Sequence, residues 1–147
     1  MDAEPRTPVP KPVPIDDRDQ QRYWLAAAKG ELSLQRCSTC ERYVHPPGPG
    51  CHHCGSADLV WDDLGSQITG QVYSYVVVHR SFLRSFIDDV PYVVALVELD
   101  DLDKVRITAN IISIDDPSEV EIGMRVRMVW EERPDGVTMP QWEPLAS

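Results

Sequence analysis

The chain has 147 residues, of which 24 are acidic and 14 are basic, so its formal net charge is -10 at pH 7. This length suits one ordinary domain or two small modules and is too short for most complete multi-step enzymes. The acidic charge gives no electrostatic basis for binding nucleic acid, and the longest apolar run, residues 92–97, is too short to cross a bilayer, so we expect neither a nucleic-acid nor a membrane partner.

Residues 1–15 form a proline-rich segment in which prolines alternate with valines. This composition predicts an extended, polyproline-like tail that serves as a tether or as a strap laid on a partner. The first residues, MDAEPRTPVPKPVP, lack the apolar segment and cleavage site of a secretory signal. We therefore expect the protein to be cytoplasmic.

A short helix is predicted in residues 16–30. Asp16 or Asp17 provides the N-cap, and Gly30 provides the left-handed residue that ends the helix. Tyr23 and Trp24 lie on its apolar face. Two interpretations remain open: the face packs on the core of this chain, or it contacts a second subunit.

The four cysteines dominate residues 31–57. Cys37, Cys40, Cys51 and Cys54 follow the spacing C-x2-C-x10-C-x2-C. Each pair places two sulfurs on one side of a cation, and a ten-residue spacer is long enough to complete a tetrahedron around Zn²⁺. We predict a structural zinc site in a rubredoxin-like zinc ribbon, whose folding is driven by the metal.

Other uses of these cysteines fit the sequence less well. A thioredoxin-type pair would begin a helix after a strand, and haem attachment needs a histidine directly after the second cysteine, where Glu41 and Gly55 stand. Disulfides rarely persist in a reducing cytoplasm. Iron in a rubredoxin-like site uses the same four ligands and remains the alternative to zinc.

Period-two alternation and β-branched residues predict a small closed barrel of five or six strands in residues 58–147. The predicted strands cover 59–64, 68–78, 92–99, 105–112, 125–131 and 137–142. The fold class is therefore mainly β with an N-terminal helix, a zinc ribbon and then the barrel.

The connection between the second and third of these strands is unusually apolar. Phe82, Leu83, Phe86 and Ile87 lie in it, and Arg80 and Arg84 flank the first two. The segment either plugs the open end of the barrel or forms a contact site, in which the apolar residues meet a partner and an arginine meets a phosphate or carboxylate.

No motif for catalysis stands out. The sequence contains no glycine-rich phosphate loop, no G-x-S-x-G elbow and no H-E-x-x-H motif. The acidic clusters, including Asp62-Asp63, are predicted to be solvated ends of turns. We therefore assign no catalytic residue.

The order of these parts resembles the zinc-ribbon and OB-fold family of acyl-CoA-associated proteins, long catalogued as a domain of unknown function. Glu41 stands where the family often has glycine. Nearly the whole chain shares the resemblance, through Tyr23-Trp24, Glu31-Leu32, Gln35-Arg36-Cys37, His45-Pro46-Pro47, Cys51 to Ser56, Gly70 to Tyr75, Pro91 to Leu99, Ile122 to Val126 and Pro140 to Pro144.

This resemblance implies a non-catalytic subunit that binds and completes or stabilises a thiolase-like, lipid-transfer-type enzyme, with acyl-CoA near the interface. The PPGPxC spacer looks most like that of members linked to steroid side-chain aldolases. Tyr23, Trp24, Arg80, Phe82, Leu83, Arg84, Phe86 and Ile87 are the candidate partner-binding residues. The alternatives are a single-stranded nucleic-acid binder, a stand-alone acyl-CoA-binding protein and a free-standing CoA-ester enzyme.

Overall fold

The structure is a computed structural model that describes residues 7–146. It contains one α-helix, two short 3-10 helices and eight β-strands. The helix α1 is Gln21–Ala27, and the 3-10 helices are Arg84–Asp89 and Pro117–Glu119. The strands are β1 Leu32–Cys37, β2 Tyr43–Val44, β3 Leu59–Gly65, β4 Thr69–Val78, β5 Tyr92–Leu99, β6 Arg106–Ile111, β7 Arg125–Glu132 and β8 Thr138–Pro144.

The zinc ribbon is a three-stranded antiparallel sheet with the order β2-β1-β3. Its central strand runs directly into the first cysteine, and Cys37 pairs with Leu59 at the start of β3. The first strand predicted for the barrel region, β3, therefore pairs with the ribbon strand β1 and with no barrel strand.

The remaining five strands close into a barrel with the order β4-β5-β6-β8-β7. Strand β5 shows why the sequence signal is strong, because its side chains alternate strictly between buried and partly exposed positions. Val93, Ala95 and Val97 from β5 lie in one core with Trp142 of β8. The predicted fold class, an N-terminal helix, a zinc ribbon and a small OB-fold barrel, is confirmed.

The barrel core also receives side chains from the N-terminal part of the chain. Tyr23 of α1 and Leu32 and Leu34 of β1 belong to the same buried cluster as the barrel residues. The Tyr23 side chain is 8% exposed. The helix and the first ribbon strand are thus docked on the barrel by apolar burial.

The helix is shorter than predicted, because residues 18–20 form a turn that precedes it. Asp17 caps this turn: its carboxylate accepts a hydrogen bond from the backbone N–H of Asp19 (2.9 Å), and its carbonyl accepts one from that of Gln21 (2.9 Å). The helix begins four residues later, with Gln20 in the cap position. Gly30 adopts φ +72°, as predicted for the residue that follows the helix.

Residues 7–15 lie along this chain, whereas the sequence predicted a strap on a partner. The Arg133 guanidinium donates hydrogen bonds to the carbonyl oxygens of Pro12 (2.9 Å) and Lys11 (3.3 Å). Residues 1–6 of the predicted tail lie outside the described residues. Within 7–146, no helix combines the length and apolar character needed to cross a membrane.

Candidate metal centre and docking surface

The four predicted ligands converge on one point. The sulfurs of Cys37, Cys40, Cys51 and Cys54 all lie within 4.8 Å of one another. The Cys37 and Cys54 sulfurs are 3.6 Å apart, and those of Cys40 and Cys51 are 3.7 Å apart. A regular tetrahedron with Zn–S bonds of about 2.3 Å has edges of about 3.8 Å, so the sulfur spacing and the donor chemistry both fit a tetrahedral metal ion.

Two matching backbone turns present these sulfurs. The N–H of Glu41 bonds the carbonyl of Cys37 (2.9 Å), and the N–H of Gly55 bonds the carbonyl of Cys51 (2.8 Å). Both residues have positive φ, 63° for Glu41 and 79° for Gly55. Glu41 therefore adopts the left-handed conformation in the position where the family often has glycine, at the small steric cost of a single such residue.

Two of the four thiols, those of Cys37 and Cys54, have pKa values shifted in opposite directions. The backbone amide of Cys40 is the largest influence on Cys37, and together with the amide of Thr39 it lowers the pKa of the Cys37 thiol to about 6. The Ser56 amide favours ionised Cys54, but desolvation and the neighbouring thiols prevail and raise the pKa of Cys54 to about 11. A divalent cation would supply the charge that lets all four ionise together.

Polar side chains that the sequence analysis missed hold the ribbon in shape. The buried Gln35 amide donates to the carbonyl of Gly48 (3.0 Å) and accepts from its N–H (2.9 Å), which ties the spacer to β1. No local signal in the sequence indicates this position, because Gln35 stands between Leu34 and Arg36 and its partner Gly48 is 13 residues away.

The prediction that Asp62 and Asp63 end a solvated turn is wrong. Both lie within β3, where each pairs with a residue of β1. Asp62 accepts hydrogen bonds from Arg36 (2.8 Å) and Tyr43 (3.0 Å), and the Arg36 guanidinium is the main cause that lowers the pKa of its carboxyl group. This carboxylate joins all three strands of the ribbon.

The histidines lie near the cysteines and outside the four-sulfur cluster. The ring centroids of His45 and Tyr23 are 5.6 Å apart, and burial lowers the pKa of His45 to about 4. His52 and His53 are exposed, with ring centroids 4.0 Å apart. Four sulfurs already complete a tetrahedral shell, so the geometry gives these rings no ligand position.

The candidate partner-binding residues separate into two groups. Tyr23 is buried in the core of this chain, so of the two interpretations of the helix face, packing on this chain is the one that holds for Tyr23. Trp24 is half-buried beside it, and its indole Nε1 is buried without a hydrogen-bond partner among the described residues.

The second group lies in residues 80–89, which we call the docking segment. Phe82 is 94% exposed and Leu83 is 57% exposed, and Ile87 is also exposed. Phe86 alone turns inward, with its ring 6.1 Å from that of Tyr92. Apart from this ring, the segment projects its apolar side chains into solvent and does not bury them in a barrel plug.

Two arginines flank the exposed apolar side chains. Arg80 and Arg84 are both exposed, and neither forms an ion pair with another residue of the described part of the chain. The docking segment also carries Asp88 and Asp89, so its formal charge is zero, and the positive charge is confined to the end that carries Phe82, the most exposed aromatic side chain among the described residues.

Comparison with known proteins places this geometry in a family. The family model described as the ChsH2 rubredoxin-like zinc ribbon domain matches residues 24–60, and that of the ChsH2 C-terminal OB-fold domain matches residues 61–131. A DUF35 domain-containing scaffold protein of Methanothermobacter thermautotrophicus is 34% identical over 80% of this chain and 82% of its own length. The chain belongs to the ChsH2/DUF35 family.

Other family members are known as parts of complexes. A solved structure described as the Ltp2-ChsH2(DUF35) aldolase contains a chain that is 42% identical to this one, with a TM-score of 0.75 over 90% of this chain and 98% of that chain. A probable enoyl-CoA hydratase alpha subunit of Thermomonospora curvata is 42% identical over 91% of this chain. The 3-oxo-4,17-pregnadiene-20-carboxyl-CoA hydratase alpha subunit of Mycobacterium tuberculosis is 33% identical over 89% of this chain.

The chain corresponds to only part of the two hydratase subunits, since it spans 40% and 39% of their lengths. It corresponds to nearly all of the matched chain in the aldolase structure and to most of the scaffold protein. These relatives of the ChsH2/DUF35 family support the role of accessory subunit.

Proposed function

We propose that this protein is a non-catalytic accessory subunit that binds and completes or stabilises a thiolase-fold acyl-CoA enzyme. The observation that carries the proposal is the docking segment, where exposed apolar side chains stand between two arginines that lack ion-pair partners among the described residues. Exposed apolar clusters of this kind mark contact sites, and their burial drives association.

The proposed partner is a thiolase-like, lipid-transfer-type protein, with acyl-CoA bound near the interface. Support comes from the 42% identical chain in the aldolase complex and from the similarity to the 3-oxo-4,17-pregnadiene-20-carboxyl-CoA hydratase alpha subunit. On this basis the reaction of the complex is the retro-aldol cleavage of a steroid side chain carried as an acyl-CoA. The partner supplies the groups that break the C–C bond.

We propose that the four cysteines bind structural Zn²⁺. Four thiolates fill a tetrahedral shell and leave no position for water or substrate, so the ion stabilises the ribbon without taking part in chemistry. Elemental analysis of the purified protein should give about one zinc per chain. Iron in the same ligands would instead give a coloured oxidised protein, and a metal-free folded protein would refute the proposal.

We further propose four functional units: the tail 1–15, the helix region 16–30, the ribbon 31–57 and the barrel 58–147. The pairing of β3 with β1 attaches the first strand of the last unit to the ribbon sheet. The docking segment belongs to the barrel unit, between β4 and β5.

Association can be tested with Ltp2, the protein named in the similar aldolase complex, as the probe. The double variant Phe82→Ser, Leu83→Ser removes two exposed apolar side chains and should weaken association at least about 30-fold, because two buried interface anchors at more than about 1 kcal/mol each contribute more than about 2 kcal/mol. The control is Ile122→Ser, since Ile122 is 71% exposed outside the segment.

Equal affinity of the double variant and the control would contradict the docking surface. Failure of the wild-type chain to bind Ltp2 would contradict the proposed partner. The chain alone should not turn over acyl-CoA, whereas turnover by the purified chain would establish a free-standing CoA-ester enzyme in place of the accessory role.

A further inference from the structure

The strap, residues 7–15, is fastened to the barrel through polar contacts. The Arg133 side chain is only 11% exposed and donates to two consecutive carbonyl oxygens of the strap, those of Lys11 and Pro12. Arg133 also pairs with Asp135, which holds the guanidinium in place. This end of the attachment therefore relies on one largely buried arginine of the barrel.

The same part of the strap also contacts the docking segment. The Lys11 ammonium lies 2.6 Å from the Asp89 carboxylate and 5.0 Å above the centre of the Phe86 ring. Ion-pair and cation–π attraction thus act on two residues of the 3-10 helix that forms the second half of the segment. Arg133, the strap and Lys11 form a continuous connection from the barrel to this helix, which we call the latch.

The strap does not bury its own apolar side chains. Val9, Val13 and Ile15 are all exposed, so apolar packing is not what holds the strap in place. A cleft of about 870 Å³ lies between strap residues 7–10 and the 3-10 helix, and its wall contains Arg84 and Ile87 together with the carboxylates of Asp88 and Asp89. The strap therefore widens the apolar surface of the docking segment and forms one side of a cleft.

Charge indicates what this surface receives. Lys11 already forms an ion pair with Asp89 of this chain. Arg80 and Arg84, nearer the other end of the segment, have no ion-pair partner among the described residues. Guanidinium groups beside an apolar patch are best matched by carboxylates on the partner, because they form bidentate, charge-assisted hydrogen bonds with them.

We propose that the strap and the docking segment form one composite docking surface, pre-set by the latch, which receives an apolar surface of the partner bordered by carboxylates. The inference rests on the proposed function for the identity of the partner. The latch itself is a property of the free chain. A segment held in its binding conformation loses less entropy on association, which is why Lys11 and Arg133 matter for binding without any contact to the partner.

The latch can be tested in the free, full-length protein by hydrogen exchange. Lys11→Met and Arg133→Met each remove one end of the connection, and amide exchange in residues 84–89 should accelerate about ten-fold. The control is Lys29→Met, because Lys29 is an exposed lysine with no ion pair among the described residues. Unchanged exchange in both latch variants would refute the latch, whatever the partner does.

The composite surface is tested by measuring the affinity for Ltp2. Lys11→Met should weaken binding about ten-fold, and Arg80→Glu with Arg84→Glu should weaken it at least about 100-fold by opposing the partner's carboxylates. Arg18→Glu with Lys29→Glu makes the same change in net charge on exposed residues outside the segment and should leave the affinity within about three-fold of wild type.

Each outcome bears on a different statement. Equal losses in the two charge-reversal pairs would show that net charge matters and the local arginines do not, which overturns the carboxylate-bordered partner. Faster exchange in Lys11→Met with unchanged affinity would overturn the role of the strap in docking. No binding by the wild-type chain would refute the proposed function, while the exchange measurement would still decide whether the latch exists.

Discussion

Replacing one metal ligand should unfold residues 38–57 of the ribbon and leave the barrel folded. In Cys51→Ser a buried sulfur is lost from the tetrahedron, and three ligands bind zinc far more weakly than four. The structure has two separate buried clusters. One contains the barrel together with Leu32 and Leu34, and the other contains the ligand region. Loss of the metal should therefore act on residues 38–57 and stop at β1.

The size of the effect follows from the contents of the smaller cluster. Besides the cysteines it contains only Val44 and Leu59, whose burial contributes about 1.5–3 kcal/mol each at most. Structural zinc contributes roughly 10–16 kcal/mol at neutral pH. The metal thus outweighs the apolar core of this region by a factor of about 1.7 to 5, and without it residues 38–57 have too little burial to remain folded.

Hydrogen exchange followed by mass spectrometry can check this prediction, with zinc quantified in the same samples. Amides in 38–57 should lose protection in Cys51→Ser and in chelator-treated wild type, whereas those in β5 should remain protected. His52→Ser is the control, since His52 is an exposed neighbour outside the sulfur cluster and its loss should leave the zinc content unchanged. Slow exchange throughout 38–57 after complete zinc removal would refute the reasoning.

Two further predictions concern the barrel. A Cβ at Gly70 would clash with the backbone oxygen of Glu98, so Gly70→Ala should lower the free energy of unfolding by about 3 kcal/mol in denaturant unfolding. A Cβ at Gly48 has nothing within 4 Å, so the control Gly48→Ala should change the free energy of unfolding by less than about 1 kcal/mol. Equal stabilities of the two variants would contradict the packing. Hydrogen bonds from Arg125 and Thr69 lower the pKa of Asp100 to about 2. Because the folded pKa lies below the unfolded value, this carboxylate stabilises the fold above about pH 4 and loses that contribution as the pH falls towards 2. Asp100→Asn should therefore cost about 1 kcal/mol at pH 7, discounted because the side chain is a third exposed. At pH 2 the carboxyl is about half protonated in the folded protein, so the cost should fall to a small fraction of that value; a cost independent of pH would be the contrary result.

The barrel strands and the metal ligands could be predicted from sequence because both signals are local. Strict alternation marks β5, whose observed bounds equal the predicted ones, and the cysteine spacing alone predicts a shared site. In both cases residues a few positions apart carry the whole pattern.

What the sequence missed depends on partners distant along the chain. The strand β3 carries Asp62 and Asp63, which usually favour turns, yet it pairs with β1 because Arg36 and Ser33 compensate these carboxylates from the neighbouring strand. The strap lies on this chain because of Arg133, more than a hundred residues away. The helix begins later than predicted, because Asp17 caps a turn that precedes it.

The strand β1 connects the four-cysteine cluster to the barrel, which is how the proposed structural metal would affect the proposed accessory subunit. Its side chains serve two regions at once, since Leu32 and Leu34 lie in the barrel core while Cys37 binds at the metal centre. Ser33 forms a hydrogen bond with Asp63, and Gln35 forms one with Gly48 of the spacer.

The ribbon is thus oriented on the barrel through one strand, and a metal ion on the four cysteines would fix the two cysteine turns at the end of that strand. A partner that contacts both ribbon and barrel therefore meets two surfaces whose relative position is set before binding, and the association is favoured because less flexibility is lost.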